Sequence, residues 1–309
     1  MNFQLEEDIK EALSLLEAGD PLEAQNVIEV LFEHDLESTE LSFANRCCTF
    51  WIDANKRIGN ISDPFEQGEK LLTEWKSYQN FLGNGTKYQP ALLAMQQGYF
   101  SKALEYFTPL FEEKDLLRRA EVYRNAGICY KKMGNFENAR VCLSEANKFY
   151  PNMASVIAEL ADCYALCGEE RFGKVLFREA FYIDPEKIDI DYLDSELIKC
   201  LIEKTREKGY TGKPLLHWIP VYGILSGVFS IKRGLSSQEV CRLKQNIYAM
   251  ENENKDPYCN TDILVPKLLN SYFWLIDHYV LTHESMNKVN EILLQIKLLD
   301  PNVYDSYVK

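Results

Sequence analysis

Basic residues are scarce in this chain: 34 lysines and arginines face 47 aspartates and glutamates over 309 residues, a formal net charge of −13. A surface for the phosphate backbone of nucleic acid needs a clustered positive excess, so no nucleic-acid partner is expected. Histidine is scarcer still. His34, His217, His278 and His283 are the whole set, and the last two are five residues apart, too far round a helix to form a zinc pair on one face. None of the nine cysteines is in C-x2-C spacing. Cys163 and Cys167, four apart, lack the further ligands that a structural zinc needs, and Cys47-Cys48 reads as packing. No metal and no cofactor is expected. Phosphate loops of the G-x4-G-K-[ST] kind, G-x-G-x2-G fingerprints and G-x-S-x-G turns are all missing. Carboxylates are plentiful, but no pair falls in a recognisable cleft, and the chain reads as a non-enzyme.

Long apolar runs are lacking too. The most apolar stretch, Leu215–Ile231, is interrupted by His217, Pro220, Gly223 and Gly227, and it is shorter than the ~20 residues of an ordinary membrane span. It reads as a buried helix, with Gly223-x3-Gly227 letting a neighbouring helix cross closely; membrane contact through residues 215–231 is the alternative. Met1–Ala18 is acidic and amphipathic, unlike a secretory leader. Cysteines such as Cys129, Cys142 and Cys163 sit inside apolar runs, which suits a reducing compartment. A cytoplasmic protein is expected. Eleven acids against Lys10 alone fill the chain up to Glu37, either a solvated face or a docking surface for a basic partner.

What the sequence does contain is a repeat. Shifted by 34 residues, Ala120–Pro185 superposes on itself: Gly127 falls on Ala161, Tyr130 on Tyr164, Gly134 on Gly168, Ala146 on Ala180 and Pro151 on Pro185. A fixed period of that length marks stacked helical hairpins. Each copy holds two apolar-periodic runs split by a glycine. Gly134 ends the first run, Asn135 caps the second and Pro151 stops it. Glycine within a helix costs about 1 kcal/mol relative to alanine, so Gly127 implies close approach of a neighbouring helix.

These residues resemble the tetratricopeptide repeat pattern, W-x2-L-G-x2-Y, then A-x3-F, then P. The first copy (residues 120–153) supplies Tyr123, Ala126, Gly127, Tyr130, Ala139, Leu143 and Pro151. The second (154–187) supplies Ile157, Leu160, Ala161, Tyr164, Gly173, Phe177 and Pro185. Tyr123 and Ile157 replace tryptophan, and Gly173 replaces alanine. The resemblance implies an all-α, right-handed superhelical solenoid that binds peptides or protein segments on its concave face.

Five hairpins are expected before Lys187, in an array over residues 1–188. The helices are Leu5–Ala18, Leu22–Phe32, Leu41–Ile58 and Phe65–Leu82. A loop at Gly83-Asn84-Gly85 follows, and then Pro90–Gln97 and Ser101–Phe111 on either side of a break at Gly98. A helical region over 189–309 comes next. It has a helix from Asp189 to Lys208, a turn-rich link at Gly209–Pro214, a helix capped at Ser236, and a degenerate hairpin over 270–303, in which Asp277 replaces the small mid-helix residue.

The first helix of each hairpin would line the inner surface. The candidate contact residues are therefore Leu92, Met95, Glu121, Arg124, Ile128 and Lys131, with Ser155, Ala158, Asp162 and Ala165 from the second copy. Arg124 and Lys131 suit a carboxylate, and Met95, Ala158 and Ala165 offer apolar seats. The function expected is a non-catalytic scaffold for a peptide or partner protein, of open oligomeric state. Two alternatives are a peripheral membrane or assembly factor, and a sensor or enzyme with a C-terminal pocket lined by Tyr222, Phe229, Tyr272 and Trp274.

Overall fold

Helices build the described residues, 3–82 and 87–308 of a computed structural model, and no strand occurs among them. The expected Gly83-Asn84-Gly85 loop lies outside those residues. The chain forms two units, Met1–Pro151 and Asn152–Lys309, which divide at the end of the first clear copy. The first unit holds α1 (Phe3–Ala18), α2 (Pro21–Phe32), α3 (Thr39–Ile58), α4 (Pro64–Leu82), α5 (Gln89–Phe107), α6 (Leu116–Lys132) and α7 (Phe136–Phe149). The second holds α8 (Ala154–Leu166), α9 (Glu170–Ile183), α10 (Glu196–Arg206), α11 (Gly212–Leu225), α12 (Ser237–Glu253), α13 (Thr261–Leu281), α14 (Met286–Leu299) and α15 (Pro301–Val308).

One turn recurs. After α6, Gly134 N–H donates to Lys131 O at 2.9 Å and Asn135 N–H to Tyr130 O at 2.9 Å; after α8, Gly168 donates to Ala165 at 3.0 Å and Glu169 to Tyr164 at 2.9 Å. These are the same two bonds 34 residues on, the double bond of a helix that ends on a left-handed residue. Gly134 and Gly168 have φ of +78° and +81°. The turn between α13 and α14 repeats it, with His283 bonded to Val280 and Glu284 to Tyr279, and a non-glycine at φ +54°. The second helices also end alike. Tyr150, Asp184 and Asp300 leave in extended backbone after bonding Ala146, Ala180 and Ile296, and a proline follows each. The degenerate hairpin thus keeps the backbone of the clear ones. Pro301 does more than stop α14, since it starts α15 from the first helical position, where its missing N–H costs nothing.

In the first unit, the expected break at Gly98 does not exist: α5 runs through it. A Cβ there would lie 2.1 Å from the Leu16 carbonyl and 2.9 Å from the Trp51 ring. Gly98 is where α1 lies directly on α5, and it keeps helical φ. The first unit therefore has one long helix where a third hairpin was expected. Around α5, Trp75 packs on Tyr99 and Phe100 at 5.2 and 5.0 Å, and the buried Tyr99 hydroxyl donates to Leu71 O. Gly127 does mark a close approach, since a Cβ would meet Leu143 Cγ at 2.7 Å.

In the second unit, the helix expected from Asp189 starts only at Glu196. The reason is Asp162 on α8, fully buried, whose two carboxylate oxygens accept the N–H groups of Asp194 and Ser195 at 2.7 and 2.8 Å. These N–H groups are therefore held outside a helix. The apolar run 215–231 likewise divides. It turns at Gly227 (φ +74°) and folds back so that Phe229 N–H reaches Gly223 O at 2.8 Å and the Phe229 ring covers the bare Gly223 Cα. The Gly223-x3-Gly227 spacing serves a turn and a ring, not a helix crossing. Ser236 and Glu239 close a reciprocal cap at the start of α12, as expected. Asp277 is buried on α13, paired with Arg178 of α9 and with Lys232 Nζ at 2.8 Å.

Two stability outcomes are expected from denaturant unfolding. His283→Gly relieves a left-handed non-glycine and raises stability by about 1 kcal/mol, whereas Gly134→Ala or Gly168→Ala lowers it by about 1–2 kcal/mol. Asp277→Ala leaves a buried guanidinium with half its partners and costs about 3–5 kcal/mol, most of it recovered when Arg178→Met and Asp277→Leu are combined.

Candidate binding site

The positions expected to line an inner face fall into two groups. Leu92, Glu121, Arg124, Ser155 and Ala165 keep part of their surface; Met95, Ile128, Lys131, Ala158 and Asp162 are buried. In the first unit, Arg124 donates to the buried Asn125, which donates to Glu69, and burial together with Glu69 pushes the Glu121 carboxyl up. In the second, Ala158 belongs to the core cluster that also contains Ile188, Leu193 and Ile198. With Asp162 bound to Asp194 and Ser195, these two positions are committed to the unit's own following segment. They are interior positions rather than open seats.

Tyr222, Phe229, Tyr272 and Trp274, expected to line a C-terminal pocket, do not line the cavity of that region. Phe229, Tyr272 and Trp274 are buried in the core, and Tyr222 packs on Trp218. Among the cysteines, Cys47, Cys48, Cys129, Cys142 and Cys163 are buried as expected. Burial pushes Cys47 up to about 11 and Cys48 up to about 12, so both stay protonated. Cys167, by contrast, sits exposed in the turn after α8, not beside Cys163 in the core.

The second unit does contain a cleft, of about 940 Å³, that the sequence did not reveal. Four stretches wall it. The end of α9 and the following turn give Phe181 to Lys187; α11 gives Lys213, Leu216, His217 and Pro220. From α12 come Glu239, Arg242, Leu243, Asn246, Ala249 and Met250, and from α13 Pro266, Lys267, Asn270 and Ser271. On each helix these positions recur at three- and four-residue intervals, one face of a helix. Pro220 and Pro266 interrupt α11 and α13 from within. Lacking an N–H, Pro220 deprives the Leu216 carbonyl of its helical donor at the cleft wall.

The carboxylates of this cleft are committed. Glu186 accepts from Lys213 Nζ at 2.7 Å and His217 Nε2 at 3.1 Å, and Lys267 Nζ is 3.9 Å away. The lysine first, and then the histidine, hold Glu186 down at about 2. Glu239 is bound by Arg233 and by Ser236 N–H and is held down at about 2, chiefly by the arginine. Asp184 caps the next turn by accepting Glu186 N–H at 3.1 Å. Arg242 and Lys187 form no ion pair among the described residues, and Lys267 has only its distant contact with Glu186. His217, 2% exposed, is held below its ordinary value by burial, with Glu186 opposing. Its neutral ring therefore carries the proton on Nε2, which donates to Glu186. Asn270, 7% exposed, forms no side-chain hydrogen bond among the described residues, and its Oδ1 is buried without a partner among them. Such a cleft can hold anionic groups through its uncommitted cations and an amide through Asn270. No cluster of three or more metal-ligating side chains occurs among the described residues.

Sequence reasoning missed this site because its lining comes from four segments between Phe181 and Ser271 that only the fold assembles. The one local signal was the polar spacing of Glu239, Arg242 and Asn246 along α12.

The His217–Glu186 pair makes stability depend on pH. The unfolded chain protonates this histidine near its ordinary value of about 6.5, the folded chain only at lower pH. Stability from the neutral ring is thus full above about pH 6.5 and is lost as pH falls through the folded value. Glu186 acts in the same direction further down, full above 4.5 and lost towards 2. His217→Gln is expected to flatten thermal stability between about pH 6.5 and 5 while keeping the acid limb; an unchanged profile over that interval refutes the assignment.

No protein-family model matches the chain, and a search of curated proteins finds no match.

Proposed function

We propose that the chain is a tetratricopeptide-like binding protein without catalysis of its own, whose helical hairpins hold a peptide or a segment of a partner protein. The observation that carries this is the recurring turn. The hairpins α6–α7 and α8–α9 close with the same hydrogen bonds 34 residues apart, and α13–α14 closes with them again. Units that each close locally present helix faces at regular intervals, and such faces suit extended chains without reacting groups. The partly open positions Leu92, Glu121 and Arg124 of the first unit, and Ser155 and Ala165 of the second, support the same role.

The membrane alternative loses its surface. Leu215, Trp218, Ile219, Val221 and Phe229 of the apolar run are buried in the fold, and no described helix is long and apolar enough to cross a membrane.

The test is dissection of a partner captured by the full chain. Overlapping short peptides that tile the partner should include one that binds as tightly as the intact protein and is released unchanged. A requirement for the partner's folded surface, or chemical turnover of the bound segment, would overturn the proposal.

A further inference from the structure

The geometry points to the cleft between the end of α9 and helices α11, α12 and α13 as the receptor for an acidic peptide segment, its backbone bonded by Asn270 and its carboxylates by Arg242 and Lys267. This rests on the partner-binding proposal above and adds to it a place and a chemistry.

Charge comes first. The chain as a whole carries −13, yet this cleft is locally cationic. Lys187, Lys213, Lys267 and Arg242 line it against Asp184, Glu186 and Glu239. Glu239 is neutralised from outside the lining by Arg233, and Asp184 and Glu186 are engaged within it. Arg242 and Lys187 form no ion pair among the described residues, so an incoming carboxylate meets a partner there. Arginine also offers a fork that matches a carboxylate with two parallel bonds.

Asn270 narrows the class. Its Oδ1 is shut off from solvent, so the carboxamide Nδ2 is the end that a ligand can reach. A peptide bond brings a C=O that accepts from Nδ2. Asn270 and Lys267 are three residues apart on α13 and line the same cleft, so one ligand can meet backbone and side-chain recognition within one helical turn. The volume of about 940 Å³ is at the top of the range for small-molecule sites, and Leu216, Pro220, Leu243 and Met250 offer seats for apolar residues between the acids.

The experiment selects binders from a displayed random dodecapeptide library on the full chain, then measures the selected peptides by fluorescence anisotropy. Expected are peptides rich in aspartate and glutamate. Arg242→Glu with Lys267→Glu should weaken them at least tenfold at low salt and less at high salt, and Asn270→Leu several-fold at every salt concentration. Arg242 is exposed, so Arg242→Glu alone keeps the fold and should still weaken binding severalfold. Selected peptides without acidic bias, affinity unmoved by these substitutions, full competition by inorganic phosphate, or tighter binding of a single-stranded oligonucleotide would each overturn the cleft assignment. Peptides that bind but respond only to Arg124→Glu and Ser155→Trp would overturn it while leaving the partner-binding proposal intact; recovery of no peptide at all would remove both.

Discussion

The buried pair between Arg178 and Asp277 fixes the second unit. It joins α9 to α13 across 99 residues of sequence. Two charges taken out of water are stable only if nearly every polar atom finds a partner, and here most do. Arg178 also donates to Ile231 O at 2.9 Å and lies over the Trp274 ring at 4.6 Å, while Asp277 accepts from Lys232. Lys267, Asn270, Trp274 and Asp277 follow one another at three- and four-residue steps, so they share a face of α13. Locking Asp277 against α9 sets the rotation of that helix. Trp274 is thereby held tilted against Tyr182 with ring centroids 4.5 Å apart, and Asn270 and Lys267 are brought to the cleft. A substitution that would look like a damaged repeat position is the anchor for the site.

An acidic chain can hold a cationic cleft because its carboxylates there are already used. Glu186 and Glu239 accept short bonds from lysine, histidine, arginine and backbone donors, and a carboxylate so engaged has little left to offer a ligand cation. The surplus acid lies elsewhere: Glu11, Glu17, Asp20, Glu23, Glu29 and Glu33 are exposed on α1, α2 and their flanks. Composition reports the sum of these regions and hides their difference.

Glycine shows why one residue type supports several local outcomes. Gly134 gives a left-handed turn that ends α6. Gly98 gives bare backbone inside a continuous helix, where the Leu16 carbonyl would otherwise collide, and Gly223 gives room for the Phe229 ring. Gly98 and Gly134 each lie between two apolar-periodic runs, which invites the same reading of both as a break. What separates them is a neighbour: Gly134 has open space where a Cβ would stand, and Gly98 has α1.

What is local was legible in the residues alone. Periodicity, the Gly134 and Gly168 turns, the Asn135 and Ser236 caps and the prolines after α7, α9 and α14 are written in runs of a few residues, because hydrogen bonds of that range close within one helix end. The helical class and most helix limits follow from them. Tertiary structure decided the rest. It kept α5 whole, moved the start of α10 to Glu196 through Asp162, divided the units at Pro151, and gathered Glu186, His217, Arg242 and Asn270 around one cleft. Each of these depends on which distant group arrives to share a hydrogen bond, a charge or a volume, and no stretch of the chain encodes its neighbour's position.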